Sequence, residues 1–371
     1  MVLEASLFTV LAPLLAGYSD EFHLSKAGAG ILAASYGAGV LAGGLPGGAL
    51  ASRIGCRATI LLALGLMAVT SAGFGVAPTA AVLVGTRFGQ GFAGGMLWTA
   101  GLTWVSLLAP PDRRGEALGG LVAIALAGSL VGPPLGALAD ATSPEAVFLS
   151  IPLICAALAA IILRLPADRG PEGQTRLLTL LSARGRDRVW AACWLVFAGA
   201  SVSGLVLTIG PLRLSDLGAG TGMVGAIFLA AAAGQAVVTP WVGRLVDRHG
   251  AGALLLPGLV GVGLAVLLVV PPGSTAALAA VVIGLTAAGG LFVVPGALLL
   301  RQAAGAAGLS EGQSMGVFNI AWAMGQTAGA AGGGAIAQLT SDFVPCLLLS
   351  VTFVATFAVF RTGRGRRLLA A

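Results

Sequence analysis

GSLVGPPLGALAD, Gly128–Asp140, lies inside an apolar run of helical length, yet it spaces three glycines four residues apart and sets two prolines side by side. Glycine and proline cost a helix in water about 1 and 3 kcal/mol each relative to alanine. The stretch reads as helix only in a solvent where close packing outweighs propensity. Lipid is such a solvent: small residues let backbones approach, and a neighbouring helix can satisfy a carbonyl that proline leaves without a donor. Gly128, Gly132 and Gly136 then form a groove for another helix, while Pro133 and Pro134 bend the span.

Composition says the same of the whole chain. Of 371 residues 57% are hydrophobic and only 9% charged, with a mean hydropathy of +0.98. A soluble domain carries about 25% charged residues, so this chain lacks the polar surface to face water. The apolar runs are continuous rather than alternating, which favours helices over a β-barrel. Cys56, Cys155, Cys193 and Cys346 stand alone, with no metal-ligand spacing.

Apolar runs of roughly 20 residues fall at 2–18, 27–51, 57–77, 79–108, 116–139, 144–163, 188–211, 221–243, 252–271, 275–300, 312–338 and 342–361, twelve expected spans. The hydrophilic stretch Arg164–Arg188 divides them six and six. The expected domains are a first six-helix bundle at 1–163, a cytoplasmic linker at 164–187, a second bundle at 188–361 and a basic tail at 362–371. With both termini inside, cytoplasmic segments hold 17 of the 20 basic residues, leaving Lys26 and Arg213 outside and Arg87 within a span. That asymmetry sets the orientation. The arginines occupy short loops and make no continuous basic face, so nucleic acid is not an expected partner.

The halves repeat. GALASRIGCR, Gly48–Arg57, aligns with GRLVDRHGAG, Gly243–Gly252, matching Gly48 to Gly243, Leu50 to Leu245, Arg53 to Arg248 and Gly55 to Gly250. The opening stretch is echoed by GQTAGAAGGGA, Gly325–Ala335. Parallel six-span repeats are a layout of secondary transporters, with substrate sites between the halves.

With these motifs the chain resembles a Major Facilitator Superfamily transporter, and within it the twelve-span drug:proton antiporters. GALASRIGCR resembles the family's loop signature, with Ser52 replacing its acid and Cys56 a common arginine. RFGQG, Arg87–Gly91, resembles the fourth-span signature, and GSLVGPPLGA, Gly128–Ala137, the fifth-span antiporter signature with Ala137 for its last glycine. The implied fold is all-α and membrane-embedded: twelve transmembrane helices in two pseudo-symmetric bundles, working as a monomer in the inner membrane.

Each motif has a physical task. Gly48 and Gly55 permit close approach and a tight turn; Arg53 and Arg57 can pair with Asp112 or sit against a helix's carbonyl end. Gly243, Asp247 and Arg248 would repeat this cytoplasmic gate, with Asp247 keeping the acid that Ser52 lacks. Arg87 lies roughly 12 Å deep at 1.5 Å per residue; an intramembrane charge is costly and by default functional, though ties to backbone carbonyls would also hold it. Arg87, Gly94 and Trp98 share a helix face, with Gln90 beside Arg87. Asn319, Trp322 and Gln326 form a polar-aromatic stripe on the eleventh span, expected with Gly94 and Trp98 to line a substrate cavity.

Glu4 is the clear acid of the spans, nine residues before Pro13 as in the first-span pattern of the antiporters. By resemblance, Glu4, Arg87 and Gln90 would couple transport to protons; against this, Glu4 stands so near the start that it would sit in water unless further first-span residues precede it. A late start is therefore expected, and a stop codon directly upstream would exclude it.

No catalytic motif, nucleotide loop or metal cluster is present in the sequence, so no cofactor is expected, and a gradient must drive transport. The leading expectation is proton-coupled export of a small amphipathic compound. The alternatives are an importer of a small metabolite and a non-transporting receptor.

Overall fold

A computed structural model describes residues 1–110, 113–166, 186–306 and 311–362, and all regular elements among them are helices. The first half contains α1 (Val2–Thr9), α2 (Leu11–Glu21), α3 (Lys26–Ile54), α4 (Cys56–Gly75), α5 (Ala80–Leu108), α6 (Arg114–Ser129), α7 (Gly132–Ala141) and α8 (Pro144–Leu163). The second contains α9 (Arg186–Asp216), α10 (Thr221–His249), α11 (Ala251–Val266), α12 (Thr275–Ala288), α13 (Gly290–Ala306), α14 (Glu311–Thr327), α15 (Gly333–Leu339) and α16 (Phe343–Arg361).

Among the described residues ten helical stretches are long and apolar enough to cross a membrane, and α1 with α2, bent by 43°, make an eleventh. The remaining expected span, the eleventh, running from α14 to α15, is helical throughout but interrupted by a π turn at Ala328–Gly332. It joins the count only as a broken helix carrying polar residues.

Each half has its own core. Leu7, Leu15, Leu32, Met67, Leu83 and Phe148 centre the first; Leu195, Leu205, Leu255, Leu259, Val266 and Leu278 the second. Ala12 packs into the second core, and Ala323 and Ala330 into the first, marking where the halves meet.

The Gly128–Asp140 stretch differs from a simple bend. Helix α6 ends at Ser129, and Pro133 and Pro134 open α7, the position where proline's missing N–H costs least. Proline at 133 leaves the Ser129 carbonyl without its helical donor; the Thr9 hydroxyl donates to that carbonyl at 3.0 Å. One turn earlier the Ser6 hydroxyl donates to the Gly128 carbonyl at 2.9 Å. The groove is filled by the same broken helix: Cβ atoms at Gly128, Gly132 and Gly136 would strike the backbone of Val2, Ser6 and Val10. The fifth span thus nests its break beside that of the first.

The second half repeats this packing. Cβ atoms at Gly325 and Gly329 would overlap the carbonyls of Phe197 and Ser201, and one at Gly333 the Leu205 side chain. Val2, Ser6 and Val10 therefore answer to Phe197, Ser201 and Leu205, each 195 positions on. The loop repeat has the same register: Gly55 and Gly250 both adopt positive φ, 89° and 81°, a region other residues rarely enter.

Candidate functional site

The site is built on the α1–α2 break. Pro13 lacks an N–H, and its ring crowds the carbonyl four residues back, at Thr9; the helix breaks there. Arg87, only 1% exposed, reaches this break from α5. Its guanidinium donates to the Leu7 carbonyl at 2.7 Å, the Phe8 carbonyl at 2.9 Å and Gln90 Oε1 at 2.9 Å. The carbonyl end of a helix is its negative end, so the cation is well placed. Gln90 is in turn anchored by donating from Nε2 to the Ser71 hydroxyl at 3.2 Å.

Glu4 lies on the same short helix, 4% exposed. Trp98 Nε1 donates to its Oε2 at 2.8 Å, and the Tyr36 hydroxyl lies 3.0 Å from its Oε1 and 3.0 Å from its backbone carbonyl. Gly94 makes room for this cluster: a Cβ there would stand 3.1 Å from Glu4 Oε1 and 3.2 Å from the Tyr36 hydroxyl.

Arg87 and Glu4 make no ion pair in this arrangement. Tyr36 stands between them, its ring 4.6 Å from the guanidinium carbon, near enough for a cation–π attraction. Tyr36 is held there because α3 and α5 pack backbone to backbone, with Gly39 against Phe88, Gly43 against Phe92, and Gly91 against Tyr36 itself. From Tyr36 the aromatic surface continues through Phe8, at 5.6 Å, to Trp322 of the second half, at 5.2 Å from Phe8.

Two known structural and sequence signatures bear on this arrangement. The Major Facilitator Superfamily profile matches residues 1–330. The chain belongs to the Major Facilitator Superfamily. The fold agrees: a structure of the Escherichia coli xylose transporter XylE, in a partially occluded inward-open conformation, superposes with a TM-score of 0.73 over 97% of this chain and 95% of that one, at 14% identity. An MFS-type transporter of Mycobacterium tuberculosis is 37% identical over 100 residues, 27% of this chain and 17% of the relative. The tetracenomycin C resistance and export protein of Streptomyces glaucescens is 26% identical over 196 residues, 51% of this chain and 36% of the relative. The chain thus aligns with about a third or less of these relatives' own lengths. Membership of the superfamily agrees with the multi-pass arrangement of apolar helices.

The other expected residues fall into three groups. Trp98 and Trp322 approach the Glu4 cluster. Asn319 is half-buried with no hydrogen bond to a described residue, and Gln326, one turn beyond Trp322, is buried away from Glu4 where α14 meets Gly37 of α3. Its Oε1 has no partner among the described residues.

Arg57 donates to the Leu163 carbonyl at 2.7 Å, at the end of α8. Arg53, Asp247 and Arg248 are exposed and form no ion pair among the described residues, Gly243 faces open space, and Gly48 touches Thr99. Asp112 lies outside the described residues. Trp241 is 65% exposed, as a membrane-belt residue would be, whereas Trp104 is buried at 8%.

Tyr36 is the neighbour of Glu4 and Arg87 that sequence reasoning missed. The chain has two tyrosines, and both stand near Arg87: Tyr36 over the guanidinium, and Tyr18 edge-on to Phe74, whose ring is 5.8 Å from it. A scarce phenol inside an apolar span was the available signal.

Proposed function

We propose that this transporter is a proton-coupled exporter, exchanging protons for a small amphipathic organic compound as its two bundles rock about a central site. The carrying observation is the buried Glu4 carboxyl with Tyr36 and Trp98. Tyr36 has one hydroxyl proton and two acceptors at equal distance. With Glu4 ionised, that proton points to Oε1. With Glu4 protonated, the carboxylic O–H donates to the Tyr36 oxygen and the phenol turns to the Glu4 carbonyl. Both protonation states are hydrogen-bonded without backbone movement, while Trp98 donates to Oε2 throughout. Arg87 acts on the same event indirectly, by gripping the carbonyls of Leu7 and Phe8 and so fixing the short helix that bears Glu4.

Glu4, Arg87 and Gln90 are accordingly read as the proton-coupling set, and Trp98, Gly94 and Trp322 as the wall met by substrate. A wall of rings with a single carboxyl suits an amphipathic compound better than a polyanion. The relation to an export protein for tetracenomycin C supports the outward direction. The arginine bias supports placing both termini and the 164–187 linker in the cytoplasm, between bundles at 1–163 and 188–361, in a monomer of the cytoplasmic membrane.

Everted membrane vesicles test this reading. With an acidified lumen, wild-type protein is expected to accumulate compounds from an amphipathic panel that includes tetracenomycin C, and a protonophore to abolish it. Glu4→Gln is expected to lose the gradient-driven component. Uptake indifferent to the proton gradient would refute coupling, and movement only in right-side-out vesicles would establish the importer instead.

A further inference from the structure

At the end of α3 opposite Arg53, the two halves are joined by a small polar cluster. Lys26, the first residue of α3, places Nζ 2.6 Å from Asp342 Oδ1 at the start of α16. Its backbone N–H, one of the unpaired donors at a helix start, donates to Gln338 Oε1 of α15 at 3.0 Å. Below, Gly30 and Gly334 let α3 and α15 touch backbone to backbone: a Cβ on Gly30 would stand 2.6 Å from the Ala330 carbonyl and 3.1 Å from Gly334 Cα. Lys26 is thus held twice by the other half.

Asp342 has a second cation. Arg213, at the end of α9 in its own half, lies 3.7 Å away through NH1, beyond hydrogen-bond length. Arg213 is itself fixed by donating from NH2 to the Val270 carbonyl at 2.6 Å, and its Nε has no partner among the described residues. Asp342 is 9% exposed whereas Lys26 is 43% exposed. The buried acid and its loose cation stay with the second half, and the tight, accessible cation belongs to the first.

We propose that Lys26, Gln338, Asp342 and Arg213 form a partner-exchange latch on this face. Closed, Lys26 holds Asp342 across the seam. On opening, Lys26 leaves to water and Arg213 tightens onto Asp342, so no bare buried carboxylate is left behind. An isolated buried charge is costly, so the waiting arginine lowers the cost of opening. The two cations around one acid therefore have opposite effects: Lys26 favours the closed face and Arg213 the open one. The latch rests on the halves moving as units, and on neither protons nor substrate.

The test measures conformation rather than transport. Spin labels at exposed Thr142 and Ser215, one on each half at this face, report the opening by electron–electron distance in the full-length protein, in lipid nanodiscs and without native cysteines. Lys26→Met is expected to raise the long-distance population about three- to tenfold. Arg213→Gln, which keeps an N–H for the Val270 carbonyl, is expected to lower it, and Arg213→Lys to leave it near wild type. If both Lys26→Met and Arg213→Gln open the face, Arg213 is a second closing bond and the exchange is wrong. An unchanged distribution in Lys26→Met overturns the latch itself. Failure of proton coupling in vesicles leaves these distances untouched, so the two readings fail separately.

Discussion

The glycine seams at 128–136 and 325–333 carry out the same packing in different ways. Both lay a smooth backbone groove against the first span of their own half, on partners 195 positions apart. In the first half the groove is broken by prolines and faces another broken helix; Thr9 satisfies the carbonyl that Pro133 frees at Ser129, and Ser6 adds a bond to the Gly128 carbonyl. In the second, Ala330 and Ala331 stand where the prolines would be; the helix continues through a π turn and packs on the unbroken α9. The charges follow the breaks. Position 199, opposite Glu4 in the repeat, is glycine, and position 282, opposite Arg87, is valine. The scaffold is repeated and the chemistry is not: a broken helix exposes carbonyls that an arginine can grip, and a continuous one does not.

Removing the acid should have the largest effect on function. Glu4→Gln is expected to reduce gradient-driven transport by about two orders of magnitude, the scale of a lost proton-transfer group, with little change in thermal stability. Equal loss on introducing an acid-to-amide change at an exposed control such as Glu145 would break the assignment. Arg87→Lys keeps the charge but not the fork that spans two carbonyls; transport is expected to fall about tenfold or more, measured in the same vesicles.

The seams provide a paired test. Gly132→Ala and Gly329→Ala place a methyl into a backbone carbonyl of the facing helix, and each is expected to cost about 1–3 kcal/mol, the range for overpacking. Thermal unfolding in detergent should rank them alike. Coupling should not: only Gly132→Ala displaces the helix bearing Glu4, so only it should lower proton-driven transport beyond its loss of folded protein. Matching losses of coupling would contradict an asymmetric chemistry.

Most of the architecture was legible because lipid imposes length and apolarity on every span. The repeat was legible because Gly55 and Gly250 need positive φ and the seam glycines need close approach. The breaks were less so: Pro133 and Pro134 announced a disturbance, but a bend within one helix and the start of a second one use the same residues. The Glu4–Tyr36–Trp98 contacts depend on where α3 and α5 meet, which sequence spacing within one helix does not give. Arg57 likewise had an acid and a carbonyl end as equally sensible partners, and only tertiary placement shows that it reaches the Leu163 carbonyl. For Gln326 the sequence does not separate seam from cavity, because both place a polar residue on a helix's inner face.

The smallest effect concerns that seam. Gln326 Oε1 is buried without a partner among the described residues, and such an acceptor forfeits its hydration. Gln326→Leu is expected to stabilise the protein by about 1 kcal/mol, seen as a higher unfolding temperature, with coupling unchanged. Destabilisation would mean that the amide serves the closed seam, and would sharpen the view of the second half as scaffold alone.

The central claim is that Glu4 is the group that takes up and releases the transported proton. Difference infrared spectroscopy of the protein in lipid, recorded across a pH titration, measures this without a substrate. A carboxylic-acid C=O band is expected to appear and disappear with pH in the wild type, to shift in Tyr36→Phe as its hydrogen bond is lost, and to vanish in Glu4→Gln. The same titrating band persisting unaltered in Glu4→Gln would contradict the account.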